Sequence, residues 1–496
     1  MSSITVRQPR VAWAAALLLA WIPGCGSNPV RSDLAEVVDV PEEWALDGAL
    51  AESAPFEARL WWSDFGDSQL DELVEEALEH NHDLAAAAAR VDAARARADI
   101  AGAARMPTVG AGYGFNRQRQ NFVGFPIPGA PAGQVLSTQS TAQGVSLDVT
   151  WEADLWGRLA AAGKAALAEA GASEVDLRAA RLSLAARTTS AWLGLIEAHL
   201  QLELAQETAD SYRANVDLVR RRYRAGRADP LDLRLLESDL ASSEALIEAR
   251  RQGFAQARRQ LELLLGRYPE GAVTGAADLP SMPEPVPAGL PSELLLRRPD
   301  LEAASLRLVA TDYRLAEARA ELYPSLTLTG SFGRRSVDLD DLFDSTFDVW
   351  SIAAGLLQPI YAGGRIRAGI DLADAEVRTV LASYAQSVLR AFAEVEGALV
   401  SESMLEQREA RLQTASDQAV SAQSMAQDRY QSGLVDVVTV LTAQRLALGA
   451  RSRLLEVRRA RLQNRVDLHL ALGGDFDKAR PSAVQPGDGP ETEERQ

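Results

Sequence analysis

The 496-residue chain is expected to be mainly α with a small β part, built from one module repeated in tandem. Three observations carry this expectation. Asp83 to Phe115 lies without a gap over Asp300 to Phe332 at an offset of 217, with Asp83/Asp300, Leu84/Leu301, Arg90/Arg307, Pro107/Pro324 and Phe115/Phe332 coinciding. Further on, Arg222-Tyr223-x-x-Gly226-x-x-Asp229 recurs as Arg429-Tyr430-x-x-Gly433-x-x-Asp436, and Leu265-Gly266 as Leu472-Gly473, now at an offset of 207. Second, proline is absent from Ala132 to Asp229 and from Ile360 to Arg480. An interior proline costs a helix ~3 kcal/mol, so these gaps are where long helices can run. Third, two pairs of segments between the helical stretches switch to the two-residue period of strands.

Composition agrees. The chain is 47% hydrophobic, yet only 6% is aromatic and the apolar residues are mainly Ala and Leu, which favours long helices over compact layers. The net charge is −18, and removing residues 1–24 with Arg7 and Arg10 would leave −20, which argues against nucleic-acid binding. Met1 to Gly24 has the layout of a secretory signal, with two arginines, the apolar run Val11 to Ile22, and then small residues. The run closes on Ile22-Pro23-Gly24-Cys25, which resembles a bacterial lipoprotein cleavage site, although Pro23 stands where a small or hydroxyl residue is usual. Cys25 is the only cysteine, so it is the expected lipid attachment point and no disulfide can form within the chain. Two or more acyl chains would make that attachment stable. By the same resemblance, Gly26 after the cysteine favours the outer membrane.

Taken in order, a lipid-anchored segment over 25–60 is followed by a first module over 61–266, with helices read at 68–105, 158–224 and 231–266. A Pro- and Gly-bearing linker spans 267–291. The second module, 292–474, has helices at 292–321, 365–430 and 436–472, and 475–496 reads as a disordered polar tail. A helix of ~65 residues would be ~100 Å long. Between the helices, Val109, Ala111, Tyr113 and Phe115 alternate with Thr108, Gly110, Gly112 and Gly114, and Val145 to Trp151 alternate likewise. The second copy repeats this around Leu326–Phe332 and Trp350–Leu356, with matching parity. The drop in offset from 217 to 207 gives the first hairpin ten extra residues, read as a long loop within Asn116–Gln143. No run after the leader reaches the ~20 apolar residues of a membrane helix, so any crossing is made by strands. Four strands cannot close a bilayer barrel, whose smallest forms have ~8, and open edges are not tolerated in lipid. Either the hairpins are soluble or several chains pool their strands.

Several motifs carry a family resemblance. They are Trp61-Trp62-x-x-Phe65-x-Asp67-x-x-Leu70, the Asn81-x-Asp83-Leu84 turn, Asp154-Leu155-Trp156-Gly157-Arg158, Arg298-Pro299-Asp300-Leu301, Tyr323-Pro324, Gln358-Pro359-Ile360-Tyr361-x-Gly363-Gly364-Arg365 and both Arg-Tyr-x-x-Gly-x-x-Asp sequences. From Trp61 to Gly474 the chain resembles the TolC/OprM outer-membrane efflux channels, in their lipoprotein, NodT-type branch. The resemblance implies a homotrimer whose twelve strands form a β-barrel in the outer membrane and whose twelve helices form a long α-helical barrel through the periplasm. It implies two helix-turn-helix tips, with Tyr223, Gly226, Arg227, Asp232, Tyr430, Gly433 and Leu434 at the gate and the adaptor contact. Gly226 and Gly433 also read simply as helix stops. The family's gate arginine is Val435 here, and its aspartate-ring positions are Thr439 and Thr442.

The residues for catalysis are poor. His80, His82, His199 and His469 read as solvated or interfacial, Gly363-Gly364-Arg365 as a strand-to-helix turn, and no phosphate loop, nucleophile elbow or zinc spacing occurs. No cofactor and no enzymatic activity are expected. Trp151 and Trp156 fit packing or an aromatic girdle equally. The leading expectation is a passive exit duct for a tripartite pump, with a periplasmic adaptor protein and an inner-membrane transporter, of RND type in the first instance. The alternatives are the exit duct of a type I secretion system and a non-conducting periplasmic coiled-coil scaffold.

Overall fold

A computed structural model describes Trp44 and residues 60–122, 136–284 and 297–474. The leader, Cys25 and the tail therefore lie outside the described residues. A short 3-10 turn, Trp61–Phe65, leads into α1 (Ser68–His80) and α2 (His82–Ala103). These are followed by β1 (Thr108–Phe122), β2 (Leu136–Ala153), α3 (Arg158–Arg224) and α4 (Pro230–Leu264). The second module supplies α5 (Pro299–Ala320), β3 (Ser325–Ser336), β4 (Asp348–Leu357), α6 (Arg365–Gln431) and α7 (Val437–Ala471). Helices α3 and α6 have 67 residues each, and α4 and α7 have 35 each. Every one of their ends is in phase at the offset of 207: Arg158/Arg365, Arg224/Gln431, Pro230/Val437 and Leu264/Ala471.

Two expectations need correction. The helix read across 68–105 is broken at Asn81, whose backbone is extended (φ −68°, ψ 125°). Its side chain ends one helix and starts the next: Oδ1 accepts from Leu84 N at 3.0 Å, and Nδ2 donates to the Leu264 carbonyl at 2.9 Å. The stretch Asn116–Gln143, read as loop, is largely hairpin stem. Pairing continues from Phe115↔Gln143 out to Phe122↔Leu136. Strands need no apolar face once they leave a buried or lipid environment, so polar Arg117, Gln118, Arg119 and Gln120 hid the continuation.

The described residues form two compact units. The first lies within Asp92–Gly171 and Ser305–Ser383 and holds the sheet, antiparallel throughout in the order β1-β2-β3-β4. The two hairpins, one from each module, thus join along β2 and β3. Gly333 and Gly144 leave no room for a side chain against the neighbouring strand, since a Cβ on Gly333 would collide with the Val145 carbonyl oxygen and one on Gly144 with the Arg334 carbonyl oxygen. Within this unit Ala94, Ala98 and Ala170 pack closely, Arg314 pairs with Glu169 at 3.1 Å, and Lys164 lies over the Tyr313 ring.

The second unit lies within Leu34–Val91, Ala172–Ala304 and Tyr384–Gln496. Its main core gathers Trp61, Trp62, Phe65, Leu70, Trp192 and Ile196. Asp67 caps α1 through Gln69 N and Leu70 N and also accepts the Trp192 indole N–H at 2.7 Å, which ties the first turn to α3. The linker after α4 is fastened by buried Glu262, which accepts from the N–H groups of Gly271, Ala272 and Val273. Burial alone would raise that carboxyl's pKa; the three backbone donors outweigh it and hold it below the usual range.

Candidate functional site

Two features of this scaffold could act: the faces of the sheet and the paired helical tips. In the sheet, strand register sorts the side chains. Val109, Ala111, Tyr113 and Phe115 share one face with Val145, Leu147, Val149 and Trp151, with Leu326, Leu328 and Phe332, and with Trp350, Ile352, Ala354 and Leu356. The other face carries Thr108, Gly110, Gly112, Gly114, Ser146, Asp148, Thr150, Thr327, Thr329, Ser331 and Ser351. The parity read from the alternation therefore holds across all four strands. The large residues of the apolar face, among them Val109, Phe115, Phe332, Trp350 and Ile352, are exposed. So broad a bare apolar face needs a partner or a lipid phase. The two tryptophans divide: Trp151 stands on the apolar face with its indole N–H on the Arg105 carbonyl, whereas Trp156 stacks on Tyr323 at 4.9 Å and donates to the Pro324 carbonyl.

At the tips, both long helices end in the same motif. Gly226 (φ 69°) and Gly433 (φ 73°) adopt the left-handed conformation. The N–H groups of Gly226 and Arg227 return to the carbonyls of Tyr223 and Arg222, and those of Gly433 and Leu434 to Tyr430 and Arg429. These paired 5→2 and 6→1 bonds are the Schellman arrangement that glycine permits. Asp229 and Asp436 then cap α4 and α7 through Leu231 N and Thr439 N. The Val435, Thr439 and Thr442 positions are locally occupied: Val435 packs on the tip core, and the two hydroxyls bond to Asp436 and to the Val438 carbonyl.

Despite this shared backbone, the tips differ. Tyr430 is 8% exposed within the cluster of Tyr212, Val216, Val219, Leu236 and Val440, whereas Tyr223 is 43% exposed. The contact that distinguishes them comes from Arg222, which in the sequence stands out only as part of a repeat. Its guanidinium lies 4.9 Å over the Tyr430 ring and donates to the carbonyls of Tyr430 (3.2 Å) and Gln431 (2.9 Å), capping α6 with a cation from the other hairpin. The signal was present in the pairing of Arg-Tyr with Arg-Tyr, but only the fold shows that the first Arg meets the second Tyr. Burial raises the Tyr430 pKa, with Arg222 opposing. Asp232 is half-buried, and burial, then the charges of Asp229 and Asp436, push its pKa up, whereas the Thr439 bonds hold Asp436 low. Gly226, Arg227, Gly433 and Leu434 lie at the tips, with Leu434 fully 74% exposed.

The histidines are not one group. His80 and His82 lie on either side of the Asn81 break, and His199 stacks on Phe254. His469, expected to be solvated or interfacial, is instead 4% exposed and stacked on Trp61 at 5.1 Å. Among the described residues no three His, Cys, Asp or Glu side chains are grouped to hold a metal ion, and no helix is long and apolar enough to cross a membrane.

A sheet with one bare apolar face, and in each module a helix of 67 residues after the hairpin, are the parts of an outer-membrane channel component. The chain belongs to the outer membrane efflux protein family, whose model matches residues 73–267 and 290–474. It is 34% identical over 427 residues to the pyoverdine export outer membrane protein OpmQ of Pseudomonas putida, spanning 85% of this chain and 89% of that one. To the outer membrane protein OprJ of Pseudomonas aeruginosa it is 32% identical over 97% of this chain and 99% of that one. The solved outer-membrane channel OprN superposes with a TM-score of 0.79 at 29% identity, over 88% of this chain and 98% of that one.

Proposed function

We infer that the chain is the outer-membrane component of a tripartite efflux pump, a passive exit duct that receives solutes from an adaptor and an inner-membrane transporter. The observation that carries this reading is the four-stranded sheet, apolar on one face, with both outer edges unpaired among the described residues. Lipid does not tolerate open strand edges, and about eight strands are the fewest that close a bilayer barrel. Three copies would supply twelve strands and, through α3, α4, α6 and α7, twelve helices for a periplasmic α-barrel. The apolar face would then meet lipid and the Gly-, Ser- and Thr-rich face would line water. That continuous face is what a non-conducting scaffold would not need.

Within that reading the two tips face the inner membrane. Tyr223, Gly226, Arg227, Gly433 and Leu434 offer the adaptor contact, while Asp232 and Tyr430 act at the constriction. Residues 25–60 tether the chain through acylated Cys25. The relatives are named for pyoverdine export, cation efflux and toluene efflux, which supports a duct whose cargo is chosen by its transporter. Purified protein in planar bilayers is expected to conduct ions with trimeric stoichiometry, and a non-conducting monomer would sink the proposal. Replacing Cys25→Ser is expected to abolish labelling by a radiolabelled fatty acid; unchanged labelling refutes the anchor.

A further inference from the structure

The assembly leaves open how the edge of one copy meets the edge of the next, and the sheet itself contains the information. Among the described residues β1 pairs only with β2, and β4 only with β3, so a ring of copies joins β4 to the next β1, antiparallel. On the apolar face, β1 presents Val109, Ala111, Tyr113 and Phe115, and β4 presents Trp350, Ile352, Ala354 and Leu356. Each edge thus carries an apolar band of four alternate residues. Aligning the bands sets Val109 against Leu356 and Phe115 against Trp350. A slip of one residue would turn every side chain to the wrong face. A slip of two would bring Phe115 against Asp348 in one direction, or Arg117 against Trp350 in the other, taking a charge into the band.

In the aligned register the next outward pair is Arg117 and Asp348. The charges there are complementary. Between Asn116 and Gln143 the only charged residues are Arg117 and Arg119, and between Val337 and Phe347 the only ones are Asp338, Asp340, Asp341 and Asp344. Arg117 and Arg119 are exposed on the edge strand, opposite Thr141 and Gln139, and no carboxylate among the described residues pairs with either. Asp348 accepts from Arg334 Nε at 2.7 Å through Oδ1, and its Oδ2 takes no hydrogen bond from a described residue. We propose that copies of this chain join β1 to β4 in this one register, locked at its outer margin by Arg117 of one copy against Asp348 of the next, with Arg119 reaching towards Asp344. This rests on the reading of the chain as a ring-forming duct and adds the register and the residues that fix it.

Cysteine pairs test the register in the full-length chain in membranes. Gly114 and Ser351 face each other on the polar side in the proposed register, and space around Gly114 is open. Opposed strand residues lie within disulfide range. Gly114→Cys with Ser351→Cys is expected to give a covalent trimer on oxidation, unlike either single variant and unlike Gly114→Cys combined with Val349→Cys or Ala353→Cys. Cross-linking through 349 or 353 instead overturns the register while leaving the assembly intact. A native mass of one chain with no cross-link in any pair overturns the assembly itself. For the charge lock, Arg117→Gln is expected to lower the dissociation temperature of the detergent-resistant oligomer in the native background and to have no further effect beside Asp348→Asn. Additive losses overturn the pairing and assign Arg117 to anionic lipid headgroups.

Discussion

His469 sits against the face of Trp61 with Arg465 one turn before it on α7, and its Nε2 has no hydrogen-bond partner among the described residues. Burial, reinforced by the Arg465 charge, lowers its pKa from 6.5 to about 3. The sign follows: between these values the unfolded chain binds a proton that the folded chain refuses, so stability present above pH 6.5 is lost as pH falls towards 3. The loss is at most about 1.4 kcal/mol per pH unit. His469→Phe, which keeps a ring on Trp61, is expected to show a smaller fall in unfolding temperature between pH 7 and pH 4.5 than the native chain; parallel falls would assign the acid sensitivity elsewhere. Nothing in the sequence marked this histidine, because its burial depends on Trp61, about four hundred residues away in the chain.

At the scale of elements, the module repeats down to its joints. Asn81 donates to the Leu264 carbonyl, and Arg298, at the matching position, donates to the Ala471 carbonyl at 3.1 Å. Beside them, Gly266 and Gly473 press backbone to backbone on His80 and Arg297. The four helix-ending glycines share positive φ but not surroundings, since Gly226 and Gly433 have nothing within 4 Å of a Cβ position. Gly226→Ala is therefore expected to cost about 1 kcal/mol, the backbone term alone. Gly266→Ala, which adds a collision with the His80 carbonyl, should cost clearly more; equal shifts in thermal unfolding would contradict this. The long helices were legible because proline is missing from their interiors and a glycine follows the last turn of each, with an aspartate before the first turn of α4 and α7. The break at Asn81 gives no such local signal, since His80-Asn81-His82 holds neither proline nor glycine and the kink is fixed by a carbonyl from α4; only the family pattern, with its Asn81-x-Asp83-Leu84 turn, points to it. The outer half of the first hairpin escaped for a different reason, its Arg and Gln alternation giving no apolar period.

For the whole molecule, charge at the tip should govern which ions pass. Asp232 is the tip carboxylate pushed upward, by burial and by Asp229 and Asp436, so falling pH neutralises it before Asp436. In bilayers the cation preference of the channel is expected to decline on acidification, and Asp232→Asn is expected to be less cation-selective at pH 7 with a flatter pH profile. Reversal potentials at pH 7 and pH 4.5 measure both, and an unchanged profile in the variant removes Asp232 from the constriction. Of this site, the sequence exposed the glycines, Tyr430 and Asp232 through the repeat and the family pattern. It did not expose Arg222, whose partner is set by how two hairpins cross.

The equal lengths of α3 and α6 constrain how such a chain can change. One residue inserted into a helix turns everything beyond it by about 100° and advances it by 1.5 Å. A single insertion in one rod would therefore put its tip out of step with the other, spoiling the reach of Arg222 to Tyr430. The hairpins carry no such penalty at their ends, and there the two halves have drifted apart by ten residues while the rods have not drifted by one. The rods behave as a matched pair of gauges, and within each module the difference in length falls in the hairpin.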